Sequence, residues 1–275
     1  MYVHSKRMLI KNAILAGLPP ACFAAILPFL EQVTLKERLS LQGPRKPVEH
    51  VYFVESGIVS LRTVATEGFV EIATIGAQGA VGISSLLGGH LPAHQSIVLL
   101  PGSALRIGTE EFWRVFAESP EFRCGLLRYA QGLAIHEAQT TFCAVRHKLE
   151  QRLANWLCLA SDVLDGAALA LPHHYFSAAL GLRRPSVTQA LIRFEEQGLI
   201  RKMRRSVQVI DREQLQQKAC RCCGIITSAY FEMNSGRDHV SSGLIYEPEG
   251  WRRRASAPAL PQERGAQTTS LQHVL

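Results

Sequence analysis

The stretch LPHHYFSAALGLRRPSVTQALIRFEEQGLIRKMRRSVQVID, Leu171 to Asp211, decides how this chain folds. Val187, Ala190, Leu191 and Phe194 recur at helical intervals, so the segment from Pro185 to Gln197 has one apolar face. Its opposite face presents Ser186, Gln189 and Arg193. Pro185 has no N–H to lose in a first helical turn, and Gly198 offers the left-handed geometry that ends helices. Just upstream, Ala178, Ala179 and Leu180 belong to a short preceding helix. Gly181 then supplies a tight turn that lets two helices cross steeply. Beyond Gly198 the chain reads as a small β-ribbon.

Two crossed helices followed by a ribbon make a winged helix-turn-helix, and charge agrees with shape. Arg183, Arg184, Arg193, Arg201, Lys202, Arg204 and Arg205 stand against Glu195, Glu196 and Asp211, a local net charge of +4. The basic residues bracket the apolar helix, with cations in the turn and ribbon for phosphates and a few side chains left for base edges. Double-stranded DNA is therefore the expected partner.

The whole chain, 275 residues with 47% hydrophobic content, is long enough for two packed domains, and its formal charge of +7 favours an anionic partner. Part of that excess lies in Arg252, Arg253 and Arg254 of a polar tail. The N-terminal stretch is apolar but broken by Lys11, Asn12 and Pro19-Pro20, so it lacks the core of a signal peptide or membrane span. A cytoplasmic protein with no membrane partner is expected. From Leu35 to Ile107 short apolar runs alternate with glycine and proline punctuation, an antiparallel β pattern. Thr109-Glu110-Glu111 then opens a helix with Phe112, Val115 and Phe116 as its buried face.

Ser119-Pro120-Glu121 opens a longer helix. There Phe122, Leu126, Tyr129, Leu133, His136, Thr140 and Cys143 follow alternating four- and three-residue steps, a seam about three heptads long. A second apolar face, Leu127, Ala134, Ala138 and Phe142, remains to cover the β domain. A further helix carries Leu149, Leu153, Trp156, Leu157, Ala160, Val163 and Leu164 on one stripe.

These parts, in this order from about Ala21 to Gln217, resemble the Crp/Fnr family of bacterial transcription regulators. The resemblance implies an α+β chain: an N-terminal β-roll or jelly-roll sensor domain (1–118), a long dimerisation helix (119–143), a winged helix-turn-helix domain (144–220) and a mostly disordered tail (221–275). It implies a sequence-specific regulator that binds palindromic DNA as a homodimer, with RNA polymerase a further partner if it activates. Arg183, Arg184, Ser186 and Gln189 are expected at the groove end of the recognition helix, where Arg pairs with guanine and Gln with adenine. Arg193, Arg204 and Arg205 are expected on phosphates. Phe122, Leu126, Tyr129, Leu133, His136 and Thr140 are expected to face a second copy, with His136 and Thr140 fixing register or responding to protonation. Arg183-Arg184-Pro185 replaces the Ser-Arg-Glu of many members, and the wing turn Met203–Ser206 lacks their glycine.

Members that bind cyclic nucleotides use a glutamate for the ribose and an arginine plus serine for the phosphate. Here Gly79 and Gly82 match the turn glycines, but Ile83 stands in the glutamate position and Gln95 in the arginine position, with only Ser96 kept. A phosphodiester would lack its charge-assisted partner. The pocket is expected to be degenerate, control by cAMP is not expected, and the small-molecule effector is left open. His90 and His94 read as members of a solvated loop.

Seven cysteines without a pairing framework argue for reduced, mostly buried thiols. Cys220, Cys222 and Cys223 lie together, but no second cluster stands at zinc-ribbon spacing and no histidine is near in sequence. They read as spare thiols at a helix end, with no metal site and no cofactor expected. No nucleophile, acid–base pair or metal set points to catalysis, so an enzyme is not expected. The competing reading is a ligand-binding β-barrel, a sensor or an enzyme, with an incidental helical domain.

Overall fold

The computed structural model of the chain describes residues 10–83, 92–164 and 166–234. His90 and the chain beyond residue 234 lie outside them. Two short helices, α1 (Ala13–Ala16) and α2 (Pro20–Ile26), lead into a β-roll of β1 (Glu31–Leu35), β2 (Ser40–Gln42), β3 (His50–Ala65), β4 (Gly68–Ile75), β5 (Ala80–Val81) and β6 (Gln95–Gly108). The antiparallel order is β1-β6-β3-β4, with β2 also on β6 and β5 on β3. The long strands β3 and β6 pair from His50↔Gly108 to Arg62↔Gln95, and their register shifts between Val54 and Val59. Glycine is needed at that bend. Gly57 has φ +84°, and a Cβ on Gly102 would lie 2.1 Å from the Ser56 carbonyl oxygen.

Helix α3 (Thr109–Glu118) buries Phe112 and Val115, and α4 (Pro120–Arg146) follows at once. Ser119 caps α4, its Oγ accepting from the Phe122 N–H at 3.3 Å, with Pro120 in the first turn. The winged domain comprises α5 (Leu149–Val163), α6 (His173–Ala179), α7 (Arg184–Glu196), β7 (Ile200–Met203), β8 (Ser206–Val209) and α8 (Arg212–Lys218). A final helix, α9 (Cys222–Asn234), turns back onto α4.

Two sequence expectations are corrected here. The heptad stripe expected to meet a second copy packs inside the chain: Phe122, Leu126, Tyr129, Leu133 and His136 are all buried in the β-roll core or beneath α9, and Thr140 is half-buried. The face assigned to the β domain is the open one, with Leu127 and Phe142 each about half exposed and Ala134 and Ala138 exposed between them. Large side chains gain most by burial, and the β-roll takes the larger set. Secondly, part of the segment assigned to the tail is α9, whose Ile226 and Tyr230 close the β-roll core. Tyr230 also accounts for His136, whose Nδ1 lies 3.1 Å from the Tyr230 hydroxyl. Burial pushes His136 down to about 4, so it sits neutral rather than serving as a protonation switch near neutral pH.

The winged domain rests directly on the β-roll. Ile58, Leu99 and Leu100 of the roll belong to the winged domain's apolar core, and a Cβ on Gly76 would lie 2.1 Å from Val163 Cγ1. At the centre of the contact is Glu71 of β4, 4% exposed. Its carboxylate accepts from the Trp156 indole N–H and from the Tyr175 hydroxyl, the latter at 2.5 Å. Desolvation raises the Glu71 pKa against the pull of these donors and of Arg62. A carboxyl that holds its proton more tightly folded than unfolded favours the fold below its ordinary value of 4.5, and that advantage is lost as pH rises through the raised native value. Glu71→Gln is therefore expected to flatten the decline in unfolding free energy between pH 4.5 and neutrality, measured by denaturant melts across that range. An unchanged slope would show that Glu71 is not its source.

Candidate nucleic-acid interface

In α7 the sequence periodicity becomes geometry. Val187, Ala190, Leu191 and Phe194 are buried against a core that includes Leu153 and Leu157 of α5, Phe176 of α6, and Leu169 and Val207. Arg183 is the N-cap and Pro185 lies in the first turn. Gly181, at φ +60°, makes the turn from α6, and Gly198, at φ +72°, ends the helix, where the Leu199 N–H donates to the Phe194 carbonyl at 2.9 Å. The face opposite the core carries Arg183, Arg184, Gln189 and Arg193, all exposed, with Ser186 half-buried.

The ribbon pairs Ile200↔Val209 through Met203↔Ser206, so Arg204 and Arg205 form a two-residue tip. Neither adopts positive φ, and the turn closes without the glycine common in the family. Both are exposed. Leu169 and Val207 exchange backbone bonds of 2.8 and 2.9 Å, a single antiparallel bridge at the side of the wing. One acid binds helix to wing: the Glu195 carboxylate accepts from the Lys202 backbone N–H at 2.7 Å and pairs with Lys202 Nζ at 3.0 Å. The sequence reading passed over it, although its position one turn before Gly198 was visible.

Arg193 is held differently from its basic neighbours. Its guanidinium lies 2.6 Å from Glu150 of α5, with both side chains about half exposed. Exposed pairs contribute only about 0.2–1 kcal/mol, so a phosphate can displace this one.

In the other region singled out in sequence, Gly79, Gly82, Ile83, Gln95 and Ser96 lie among the described residues, and Ile83 and Ser96 are buried. Ile83 is 1% exposed and is a core residue. Ser96 is fully buried and its hydroxyl donates to Gln42 Oε1 at 3.4 Å. A Cβ on Gly79 would lie 2.7 Å from the Tyr129 ring, so this glycine admits the long helix. Gln95 is half-buried opposite Arg62 in the sheet register. His94 Nδ1 lies 3.4 Å from the Thr63 hydroxyl.

The thiols also gain partners that the sequence did not offer. Cys220 and Cys222 meet Cys143 and His147 of the α4 terminus, more than seventy residues away along the chain, whereas Cys223 turns to Cys158.

The fold is matched by two family models. A Crp-like helix-turn-helix domain covers residues 151–218 and a cyclic nucleotide-binding domain covers 32–119, together more than half of the chain. The chain belongs to the Crp/Fnr family of transcription regulators. Among solved structures it is similar to FixK2 from Bradyrhizobium japonicum, at 18% identity and a TM-score of 0.60 over 70% of this chain and 98% of that one. It is similar to a putative regulator of the same family from Eubacterium rectale, at 17% identity and a TM-score of 0.57 over 74% and 96%. The c-di-GMP responsive global regulator CLP of Xanthomonas campestris shares 15% identity with a TM-score of 0.56 over 70% and 99%. No curated protein matches the chain in sequence. These matches do not favour the competing reading of a barrel with an incidental helical domain.

Because the Lys202 N–H holds the Glu195 pKa below its ordinary value, this tie is present above pH 4.5 and is released as pH falls through the lower native value. Glu195→Ala is expected to speed amide exchange at Lys202 near neutral pH and to lower DNA affinity for all sequences alike. Unaltered exchange at Lys202 would show that the wing is held by its ladder alone.

Proposed function

We propose that this Crp/Fnr regulator reads an inverted-repeat DNA site as a homodimer and does so without cAMP. The observation that carries the reading is the open face of α7: Arg183, Arg184 and Gln189 project from a helix whose other side is locked into the winged core. Arg184 and Gln189 have the donor and acceptor geometry for guanine and adenine edges in the major groove, and Arg183 and Ser186 stand at the same end of the helix. Arg204 and Arg205 at the wing tip, with Arg193 released from Glu150, serve the phosphates.

For the dimer we assign the stripe that the β-roll leaves open on α4. Cys124, Leu127, Gln131, Ala134, Ala138, Thr141 and Val145 are exposed and follow three- and four-residue steps, with Phe142 beside them. Leu127, Phe142 and Val145 are 50%, 51% and 78% exposed, a costly display of apolar surface unless a second copy covers it. Ala134 and Ala138 let two helices approach closely. The domain limits proposed are a sensor roll to residue 118, α4 as the dimer helix, the winged domain to residue 220, and α9 as a strap over α4.

Independence from cAMP rests on the buried Ile83 and on Gln95, which bring neither a carboxylate to a ribose nor a guanidinium to a phosphate. The test is selection from sheared genomic DNA with no effector added, using the wild-type chain and Ala138→Glu. The wild type is expected to return an inverted repeat with half-site centres about 34–36 Å apart. Ala138→Glu is expected to lose the repeat and elute as a monomer. Recovery of a repeat only after cAMP is supplied would overturn the effector reading, and an unchanged dimer in Ala138→Glu would overturn the seam.

Base reading and phosphate contact separate by salt. Gln189→Ala is expected to relax preference at one base position, a loss of about 1–3 kcal/mol on the cognate site and none on scrambled DNA. Arg204→Ala is expected to weaken both equally and to reduce the salt slope by about one. Equal losses on both DNAs for the two variants would remove that division of labour.

A further inference from the structure

We propose that Cys143, His147, Cys220 and Cys222 form a mononuclear metal site of the zinc class at the joint between the long helix and the winged domain. Their four donor atoms all lie within 4.8 Å of one another. Cys143 Sγ is 3.4 Å from Cys220 Sγ, and Cys222 Sγ is 3.6 Å from His147 Nδ1. Zn–S bonds of about 2.3 Å in a tetrahedron place neighbouring sulfurs roughly 3.8 Å apart, so one ion fits after small movements. A four-iron cluster sits between its cysteines as a far larger body, and this set is too tight to hold one.

The set is built from two directions. Cys143 and His147 stand one helical turn apart at the end of α4, where the His147 N–H donates to the Cys143 carbonyl at 3.1 Å. Cys220 and Cys222 flank a single residue at the start of α9, where the Cys223 N–H donates to the Cys220 carbonyl at 3.2 Å. Cys143, Cys220 and Cys222 form a small buried cluster of their own, apart from the two aliphatic cores. Half-buried His147 gives the set an open side for entry. Three thiolates and a neutral imidazole around a divalent ion leave one net negative charge.

Bound there, the ion ties the end of α4 to the chain leaving α8, on either side of the DNA-reading unit. It fixes the angle at which the winged domain leaves the long helix.

The test uses the full chain, reduced and stripped with a chelator, titrated with Co2+ alone and then with Zn2+. One Co2+ per chain is expected, with the intense visible bands of a tetrahedral site and thiolate-to-metal charge transfer, both abolished by Zn2+. Cys143→Ser and His147→Ala are each expected to weaken Co2+ at least tenfold, while Cys223→Ser, whose sulfur faces Cys158, leaves it unchanged. His147→Ala changes only a half-exposed helix cap and keeps the test available if a buried cysteine variant does not fold. The proposal is overturned if the folded chain gives no tetrahedral spectrum, if it forms a Cys143–Cys220 disulfide in place of taking up metal, or if His147→Ala and Cys143→Ser bind as the wild type does.

Discussion

The seating of Tyr129 on the β-roll governs the rest of this molecule. Its hydroxyl donates to the Ala80 carbonyl at 2.8 Å, and its ring occupies the space that any side chain on Gly79 would need. A fully buried tyrosine with its hydroxyl satisfied fixes both the rotation and the height of α4, because a helix that turned would strand that hydroxyl away from water. Everything on α4 follows from that angle. Phe122, Leu126 and Leu133 go into the roll and His136 goes beneath α9. Leu127, Ala134 and Ala138 are left facing outward, and Cys143 is delivered to the chain that emerges from the winged domain.

This explains where the sequence was legible and where it was not. The winged domain was read almost entirely from local pattern, because the stripe Val187, Ala190, Leu191 and Phe194, the turn at Gly181 and the stop at Gly198 are short-range signals that tertiary packing reinforces. The α4 stripe was seen but given to the wrong neighbour. Periodicity finds two apolar faces on one helix and does not say which meets the β-roll. The structure gives the roll the bulkier one, leaving the alanine-rich face to the solvent side. Helix α9 was passed over because Gly224 and the polar chain beyond it obscure the short run Ile225, Ile226 and Tyr230. Its helicity is supported by docking on Gly132 and His136 rather than by propensity.

The degenerate pocket shows a different limit. Sequence could say that Ile83 and Gln95 lack the charges for a nucleotide, but not where their side chains go. Here Ile83 joins the core and Ser96 bonds Gln42. Next to it, the contact between roll and winged domain is polar at its centre. Glu71 is a carboxyl removed from water and satisfied in part by groups of the other domain, Trp156 and Tyr175, with Ser60 and Arg62 of the roll beside it. Separating the domains would rehydrate Glu71 at the expense of its hydrogen bonds to Trp156 and Tyr175, and would expose Ile58, Leu99 and Leu100.

The placing of the winged domain depends on the joint as well as on this contact surface. The chain passes from α4 to α5 through His147 and Lys148, and it returns from the winged domain through Ala219 and Cys220, so these two crossings define the axis about which the DNA-reading unit could turn. A tie between them acts at a short lever arm. It need not compete with the broad apolar contact made by Ile58, Leu99 and Leu100, yet it restricts every angle available to α7. Local sequence could not reveal this tie, because Cys143 and Cys220 are 77 residues apart and neither half makes a ligand set alone. The long helix, set by Tyr129, and the return of the chain in α9 bring the two crossings together. The same packing that removes the bulky stripe of α4 from the dimer seam thereby makes its last turn half of a four-ligand cluster.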